Sequence, residues 1–209
     1  MIVACPPQMT RLSAPTWCVL VLLLFTVPAA RSEPTECDRL AAHPSDPDKV
    51  LEGVPSDAVR GWNGAAIWAC REATRQEPGN PRLRYQLGRA LFYDGQKAEA
   101  LGHLDAAASA KHRQAQFVQG LMYADGVEGV LAADGCRALA LWRDAAARGH
   151  FAARVALGRD WARGRYAGCE QVPDAATVDG WLAAARSETR DYYQQLLIDW
   201  TREVIAARR

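Results

Sequence analysis

The chain has 209 residues, of which 49% are hydrophobic and 23% are charged. Its 25 Lys and Arg residues are balanced by 24 Asp and Glu residues, so the formal net charge is +1. An apolar fraction of this size excludes a disordered polyelectrolyte, and the near-neutral balance argues against a nucleic-acid partner, which requires an excess of cations.

The first thirty residues predict an export signal that is removed from the mature protein. An apolar run from Trp17 to Val27 precedes Ala29 and Ala30, small residues that suit cleavage by a signal peptidase. A helix that crosses a membrane needs about 20 apolar residues, so this run is short for an anchor, and an uncleaved anchor is the alternative. We expect residues 1–30 to be a signal peptide and the mature protein to be exported, periplasmic or secreted, with no stable membrane span.

Four cysteines remain once this signal is removed. An even number in an oxidising compartment predicts two disulfides, for which three pairings are possible. None of the four forms a Cys-x-x-Cys pair or has a histidine within a few residues, which disfavours a zinc site. The four residues are Cys37, Cys70, Cys136 and Cys169.

From residue 57 onward the sequence predicts one helix after another. Ala and Leu dominate the periodic apolar positions, and no alternating run of β-branched residues is long enough for a strand. Turn residues separate the segments, for example Gly79-Asn80-Pro81. The predicted helices cover 57–77, 81–94, 97–110, 113–125, 136–148, 151–163 and 176–186.

A last amphipathic helix is predicted over residues 187–207. Ser187 is placed to cap its N-terminus, and one face carries an apolar stripe of Tyr193, Leu197, Trp200 and Val204. We expect residues 187–209 to form a terminal cap that covers the final helix pair with this stripe.

The middle of the chain repeats itself when it is shifted by 38 residues. Small and aromatic residues recur in phase, which is the signature of a repeat architecture. An earlier, shorter copy contains Gly88 and Gly95. The matched pairs are Ala100 and Ala138, Leu104 and Trp142, Ala107 and Ala145, Ala108 and Ala146, His112 and His150, Ala115 and Ala153, Gly120 and Gly158, Tyr123 and Trp161, and Gly126 and Gly164.

The segment 115–149 resembles the Sel-one-like repeat (SLR), through Gly120, Tyr123, Gly126 and Trp142 in their spacing. Residues 81–112 are similar to a tetratricopeptide repeat, and the two resemblances together cover about residues 60–185. The chain departs from the family at Gln119, where the family has Leu, at Lys111, where it has Gly, and at a third loop that lacks the family's Gly-Val signature. The resemblance implies an all-α fold, a short right-handed α-solenoid of antiparallel helix pairs over residues 57–186, with the C-terminal capping helix behind it.

Antiparallel helix pairs suggest how the cysteines pair. The start of helix 136–148 would lie near the loop that follows its returning partner, which brings Cys136 to Cys169. Residues 31–56 contain Gly53 and Pro55 and are not expected to form a normal helix. We expect the short segment 35–42 to pack on helix 57–77 instead, tethered there by a Cys37–Cys70 disulfide.

The candidate binding groove is the face of the first helix of each pair, which lines the inner side of a solenoid. Its arginines suit a carboxylate or an acidic segment, because a guanidinium pairs with a carboxylate through two parallel hydrogen bonds, and the aromatic residues between them would anchor apolar side chains. The predicted groove residues are Arg82, Tyr85, Arg89, Phe92, Phe117, Arg159 and Arg163, with Gln114, Leu121 and Val155 between them.

Chemistry-bearing motifs are scarce in this sequence. There is no Gly-x-Ser-x-Gly, Ser-x-x-Lys or His-Glu-x-x-His motif and no phosphate-binding glycine loop. The recurrent His112 and His150 follow helix ends and are interpreted as structural. We expect a non-enzymatic scaffold that binds a protein or peptide partner without a cofactor or metal. The alternative, which some cysteine-rich relatives suggest, is a secreted hydrolase of β-lactam or cell-wall substrates.

Overall fold

The computed structural model of the chain describes residues 33–208, which from Pro34 onward form one unit. The predicted signal peptide lies outside the described residues. Within 33–208 the regular structure is helical, apart from an isolated bridge between Val127 and Leu131, and none of these helices combines the length and apolar character needed to cross a bilayer. The helices are α1 Glu36–Ala41, α2 Ser56–Gly61, α3 Asn63–Gln76, α4 Pro81–Tyr93, α5 Lys97–Ser109, α6 Arg113–Asp125, α7 Gly135–Ala147, α8 Phe151–Ala162, α9 Ala175–Glu188 and α10 Tyr192–Ala206.

The helices pack in consecutive pairs. We call α4 with α5 unit 1, α6 with α7 unit 2, and α8 with α9 unit 3; the second helix of each unit also contacts the first helix of the next. The predicted all-α fold of stacked helix pairs is therefore confirmed. The predicted helices between 81 and 163 agree with the observed ones to within one residue at each end.

The same position caps the first helix of every unit. The side chain of Asn80 accepts from the backbone N–H groups of Arg82 and Leu83, the imidazole Nδ1 of His112 accepts from Ala115, and that of His150 accepts from Ala153. Each cap satisfies backbone donors that the helix itself leaves without a partner. The two histidines are thus structural at this nitrogen, as the sequence predicts.

A glycine in each first helix lets the second helix of its unit approach closely. A Cβ on Gly88 would lie 2.8 Å from Leu104, one on Gly158 would lie 2.8 Å from Leu182, and one on Gly120 would overlap the indole of Trp142. The three glycines are therefore equivalent, and they give the register that relates one unit to the next.

Three predicted helices differ from the observed ones in their bounds. The helix predicted over 57–77 is broken at Trp62, whose φ of −110° and ψ of 15° end α2 and begin α3. Gly61 and Gly64 flank this break and lower the helix propensity there. At the other end, α9 continues through Ser187, whose hydroxyl donates to the Ala184 carbonyl, and α10 is capped by Asp191 instead.

The predicted apolar stripe of the last helix is not the side that packs on the repeats. The helix α10 contacts α8 and α9 and buries Ile198, Thr201 and Ile205. Tyr193, Leu197 and Trp200 are exposed, and Val204 is only partly buried. The predicted contact of α10 with the final helix pair is thus formed, but by a neighbouring face of the helix, with Val204 at its edge.

Both predicted disulfides are present. Cys37 bonds to Cys70 with their Cα atoms 4.5 Å apart, and Cys136 bonds to Cys169 at 5.2 Å. The first bond ties α1 to α3, as expected from the sequence, and the second ties the start of α7 to the loop after α8.

Candidate protein-binding face

Three equivalent positions define the surface on which the sequence predicts binding. Arg89, Leu121 and Arg159 each follow the aligned glycine of α4, α6 and α8 by one residue. We call the side of these three helices that carries them the first-helix face. This face is covered by other residues of the chain to different extents over units 1, 2 and 3.

Over unit 1 the first-helix face is covered by the chain's own N-terminal segment, residues 34–55. The guanidinium of Arg82 forms an ion pair with Asp38, and both side chains are buried. The amide of Gln86 donates to the same carboxylate at 2.9 Å. A buried carboxylate requires partners of this kind, because the loss of hydration is otherwise uncompensated.

Arg89 binds the backbone of the same segment. Its guanidinium donates to the carbonyl oxygens of Ala41 at 3.1 Å, Ala42 at 2.9 Å and Val54 at 2.8 Å. Three carbonyl groups from two separate stretches of chain therefore converge on one side chain. Arg89 thus binds main-chain carbonyl groups, which are present in every polypeptide.

The N-terminal segment continues onto the start of α6. Asp48 accepts from the Arg113 guanidinium at distances of 2.5 to 3.2 Å, and Asp46 Oδ2 lies 3.4 Å from His112 Nε2. Tyr85 stacks on the His112 ring with the centroids 5.1 Å apart. The segment is therefore held by acidic side chains on cationic or N–H partners along its length.

Burial changes the acid–base properties of this contact. It raises the pKa of Asp46 to about 7 and lowers the pKa of His112 to about 4. Burial also raises the pKa of Asp48, but its hydrogen bonds to Arg113 and the positive charges nearby outweigh this, and the net shift is downward. At neutral pH His112 is therefore neutral, and Asp48 is ionised.

Asp46, Asp48 and His112 are also the group that offers the geometry of a metal site, with one ligand atom from each within 4.8 Å of the others. The donor set fits a metal poorly. Nδ1 of His112 accepts a backbone N–H, so the proton of the neutral ring resides on Nε2, the nitrogen that would have to bind the ion. Both oxygens of Asp48 are engaged by Arg113. The cluster is better described as a contact between the N-terminal segment and α6 that the Asp48–Arg113 hydrogen bonds hold, whereas the facing Asp46 and His112 atoms lack hydrogen-bond geometry among the described residues.

The predicted groove is accordingly corrected over unit 1. Arg82, Tyr85 and Arg89 are buried, and Phe92 is partly buried among the apolar residues of the N-terminal half. They do not face an external partner, because residues 34–55 already occupy that surface. The sequence did not signal this occupant clearly, although Asp38, Asp46 and Asp48 form an acidic series beside an arginine-rich chain.

The first-helix face is more open over units 2 and 3. Leu121 is exposed, and Phe117 is partly buried against the His150 ring at 5.0 Å. Arg159 is partly exposed and Arg163 exposed. These predicted groove residues thus lie on the uncovered part of the face, whereas the prediction for Gln114 is corrected, because its side chain is buried against His150 at 2.8 Å.

A cluster of arginines surrounds one buried carboxylate at the end of α8. Asp160 lies 2.9 Å from Arg159, 4.0 Å from Arg163 and 3.6 Å from Arg165. Three guanidinium groups therefore share a single negative charge, and each side chain stays at least one-third exposed. This arrangement has spare hydrogen-bond donors for an anionic group.

A second concave surface lies on the second helices. A hollow of about 790 Å³ is lined mainly by side chains of α5, α7 and α9, together with Gln116 and Gln119 of α6. Asp144 connects two units here, because Lys111 and Gln116 both donate to its carboxylate, at 3.1 and 2.5 Å. The chemistry of this hollow is thus mainly that of contacts between units.

These features define the class of the chain as an all-α repeat protein built from stacked helix pairs. The sequence matches no known family model and no curated protein. Among solved structures, the chain is similar to a Sel1 repeat protein from Oxalobacter formigenes, with a TM-score of 0.51 and 23% sequence identity over 64% of this chain and 98% of that one. This similarity establishes a Sel1-like repeat fold, which confirms the predicted resemblance at the level of the fold.

Proposed function

We propose that the protein is an exported, non-enzymatic adaptor that binds an acidic segment of a partner protein on the open part of the first-helix face. The observation that carries this proposal is the intramolecular contact of Arg89. There the face already holds an acidic segment, made of the short helix α1 and the turns after it, through carbonyl groups and carboxylates.

Arg159 is the equivalent of Arg89 two units further along. Its guanidinium is partly exposed and contacts Asp160, with Arg163 and Arg165 close by. A carboxylate or a pair of carbonyl groups arriving here would find donors with the planar geometry that favours paired hydrogen bonds. Attraction between this cluster and an acidic segment would weaken as salt screens the exposed charges.

Apolar contacts would come from unit 2. Leu121 is exposed and Phe117 partly so, and both precede the arginine cluster along the same face. An aromatic or aliphatic side chain flanked by charged pairs is the usual composition of a strong contact point in a protein interface.

Export is supported by cysteine chemistry. All four cysteines in the described part of the chain are in disulfides, which persist in oxidising compartments and are rare in the cytosol of most organisms. The apolar run before residue 30 has the composition of a signal peptide.

A direct test uses the acidic segment that the equivalent surface of unit 1 holds within the chain. A fluorescent peptide of residues 35–50, with Cys37 replaced by Ser, is titrated with the protein and followed by anisotropy. Unit 1 is filled by the tethered segment, so the signal reports the open units. We expect saturable binding that weakens with salt and that falls at least about tenfold in Arg159→Glu/Arg163→Glu, which corresponds to roughly 1.4 kcal/mol.

The matched control is Arg71→Glu/Arg75→Glu on α3, which changes the net charge equally at an exposed site away from α8. This variant should bind the peptide like the wild type. Equal loss in both double variants would show a non-specific charge effect and would contradict the proposal. A photo-crosslinking residue at Leu121 in living cells would then identify the natural partner.

A further inference from the structure

The helix α10 carries two apolar stripes, and among residues 33–208 only one of them packs against the rest of the chain. Ile198, Thr201 and Ile205 face the repeats and are buried. On the other stripe, Tyr193 is 77% exposed, Leu196 is 53% exposed and Trp200 is 50% exposed. Tyr192 and Leu197 extend this surface. We call these five residues the α10 patch.

An apolar outer surface is unusual for the last element of a repeat array, since terminal units need a polar outer face to remain soluble. The five side chains expose on the order of 500 Å², because a Tyr or Trp side chain presents about 150–250 Å² when fully accessible. Patches of several hundred Å² on soluble proteins commonly mark an interaction site.

The order of residues in the α10 patch is self-complementary. Read in either direction, one aromatic residue, two leucines and a second aromatic residue follow each other with the same spacing: Tyr193, Leu196, Leu197 and Trp200. An antiparallel pair of α10 helices centred between the leucines would place Tyr193 level with Trp200 of the partner subunit. A two-fold interface requires that kind of reciprocity, because each copy contributes the same surface.

The area also suits a second copy. Two α10 patches together would bury on the order of 1,000 Å² of apolar surface, and specific interfaces generally exceed about 1,000 Å² once the polar rim is included. At about 25 cal/mol per Å², the apolar part is large enough to offset much of the entropy lost on association.

We propose that the chain forms a two-fold symmetric dimer through the α10 patch, with the two α10 helices antiparallel. The occupant of this surface is thus a second copy of the chain. This dimer is independent of the binding proposed for the first-helix face, which lies on α6 and α8.

The first test is the mass of the protein as a function of concentration, measured by sedimentation equilibrium. The protein is expressed from its full gene and purified in the form that the cell produces. We expect a dimer in the micromolar range, and we expect Tyr193→Lys/Trp200→Lys to raise the dissociation constant at least about a hundredfold. Both side chains are exposed, so unchanged helical circular dichroism and thermal unfolding below the dimerisation range will show that the variant is folded.

The matched control is Trp68→Lys, because Trp68 is 72% exposed on α3 and is not part of the α10 patch. This variant should dimerise like the wild type. A wild-type protein that remains monomeric throughout, or a dimer that persists in the Tyr193/Trp200 variant, would overturn the proposal.

The second test concerns the antiparallel geometry. A cysteine at Leu197 lies close to the two-fold axis and should form a disulfide with its own copy under mild oxidation, whereas a cysteine at Ala206, exposed near the end of α10, should not. Equal crosslinking of Leu197→Cys and Ala206→Cys, or no crosslinking of Leu197→Cys, would overturn the antiparallel pairing.

Discussion

Gly120 lies directly beneath the indole of Trp142, whose Nε1 donates to the Phe117 carbonyl at 3.0 Å. A methyl group at residue 120 would occupy the volume of the indole. Trp142 is fully buried, so it has little room to move away.

We therefore expect Gly120→Ala to destabilise the protein by about 1–3 kcal/mol through overpacking, despite the better helix propensity of Ala. Gly102→Ala is the control, because Gly102 is an exposed helical residue with nothing near its Cβ position. It should gain about 0.5–1 kcal/mol. Urea unfolding measures both, and a neutral Gly120→Ala would contradict the close contact.

Loss of the Cys37–Cys70 disulfide should release the N-terminal segment. Cys37→Ser/Cys70→Ser removes a bond that closes a loop of 33 residues, which is worth roughly 3–4 kcal/mol in the chain-entropy treatment. We expect limited proteolysis to cut within residues 42–55 in this variant. In Cys136→Ser/Cys169→Ser, which loses a loop of the same length, the segment should remain protected although stability falls. Equal proteolysis of the segment in both variants would argue against the tether.

Arg89→Leu tests the backbone contacts, and it places at residue 89 the side chain that unit 2 carries at the equivalent Leu121. The substitution leaves three carbonyl groups without their guanidinium partner, each buried or partly buried. We expect a loss of about 2–4 kcal/mol and faster hydrogen exchange in residues 38–54, measured by mass spectrometry. Exchange in α8 and α9 should be unchanged, and unaltered protection of residues 38–54 would contradict the assigned role of Arg89.

His150 should make the protein less stable in acid. Burial lowers its pKa to about 4 from an ordinary value near 6.5, so between these values the unfolded chain binds a proton that the folded protein does not. Stability therefore rises with pH from about 4 to about 6.5, by as much as about 3 kcal/mol from this residue. The raised pKa of Asp46 has the opposite effect, because its contribution to stability falls as the pH rises towards 7.

The variant His150→Asn separates these contributions. Asn caps the equivalent helix of unit 1 at Asn80, so the cap is retained while the titration is lost. We expect the variant to show a flatter stability curve between pH 4 and 6.5 and a constant difference from the wild type above pH 7. His103→Asn, a partly exposed position, should change the slope less. An unchanged slope in His150→Asn would show that His150 is not the group responsible.

Residues whose size is dictated by close packing were the most predictable from the sequence. Gly120 and Gly158 recur because a helix must approach there, and the helix pairs that follow bring Cys136 to Cys169. The groove over unit 1 was not predictable in the same way. An arginine at position 89 predicts that carbonyl or carboxylate groups bind there. It does not predict whether these groups belong to another molecule or to residues 34–55.

The face of the last helix that packs on the repeats could not be predicted from hydrophobicity either. Hydrophobicity alone favours the stripe of Tyr193 and Trp200 over one that contains the polar Thr201. The structure buries Thr201, because its hydroxyl donates to the Leu197 carbonyl at 2.7 Å within the helix. A stripe with an internally satisfied hydroxyl and two isoleucines can thus pack on α8 and α9 while the larger aromatic residues remain outside.

The covalent bond between Cys37 and Cys70 has a quantitative effect on competition. A ligand tied next to its own site acts at a local concentration in the millimolar range, whereas a free protein at micromolar abundance would be about a thousandfold more dilute. A free ligand would have to displace the tethered N-terminal segment before it could bind Arg89. While the bond is intact, a free ligand must therefore bind about a thousandfold more tightly than the tethered segment to occupy unit 1 equally.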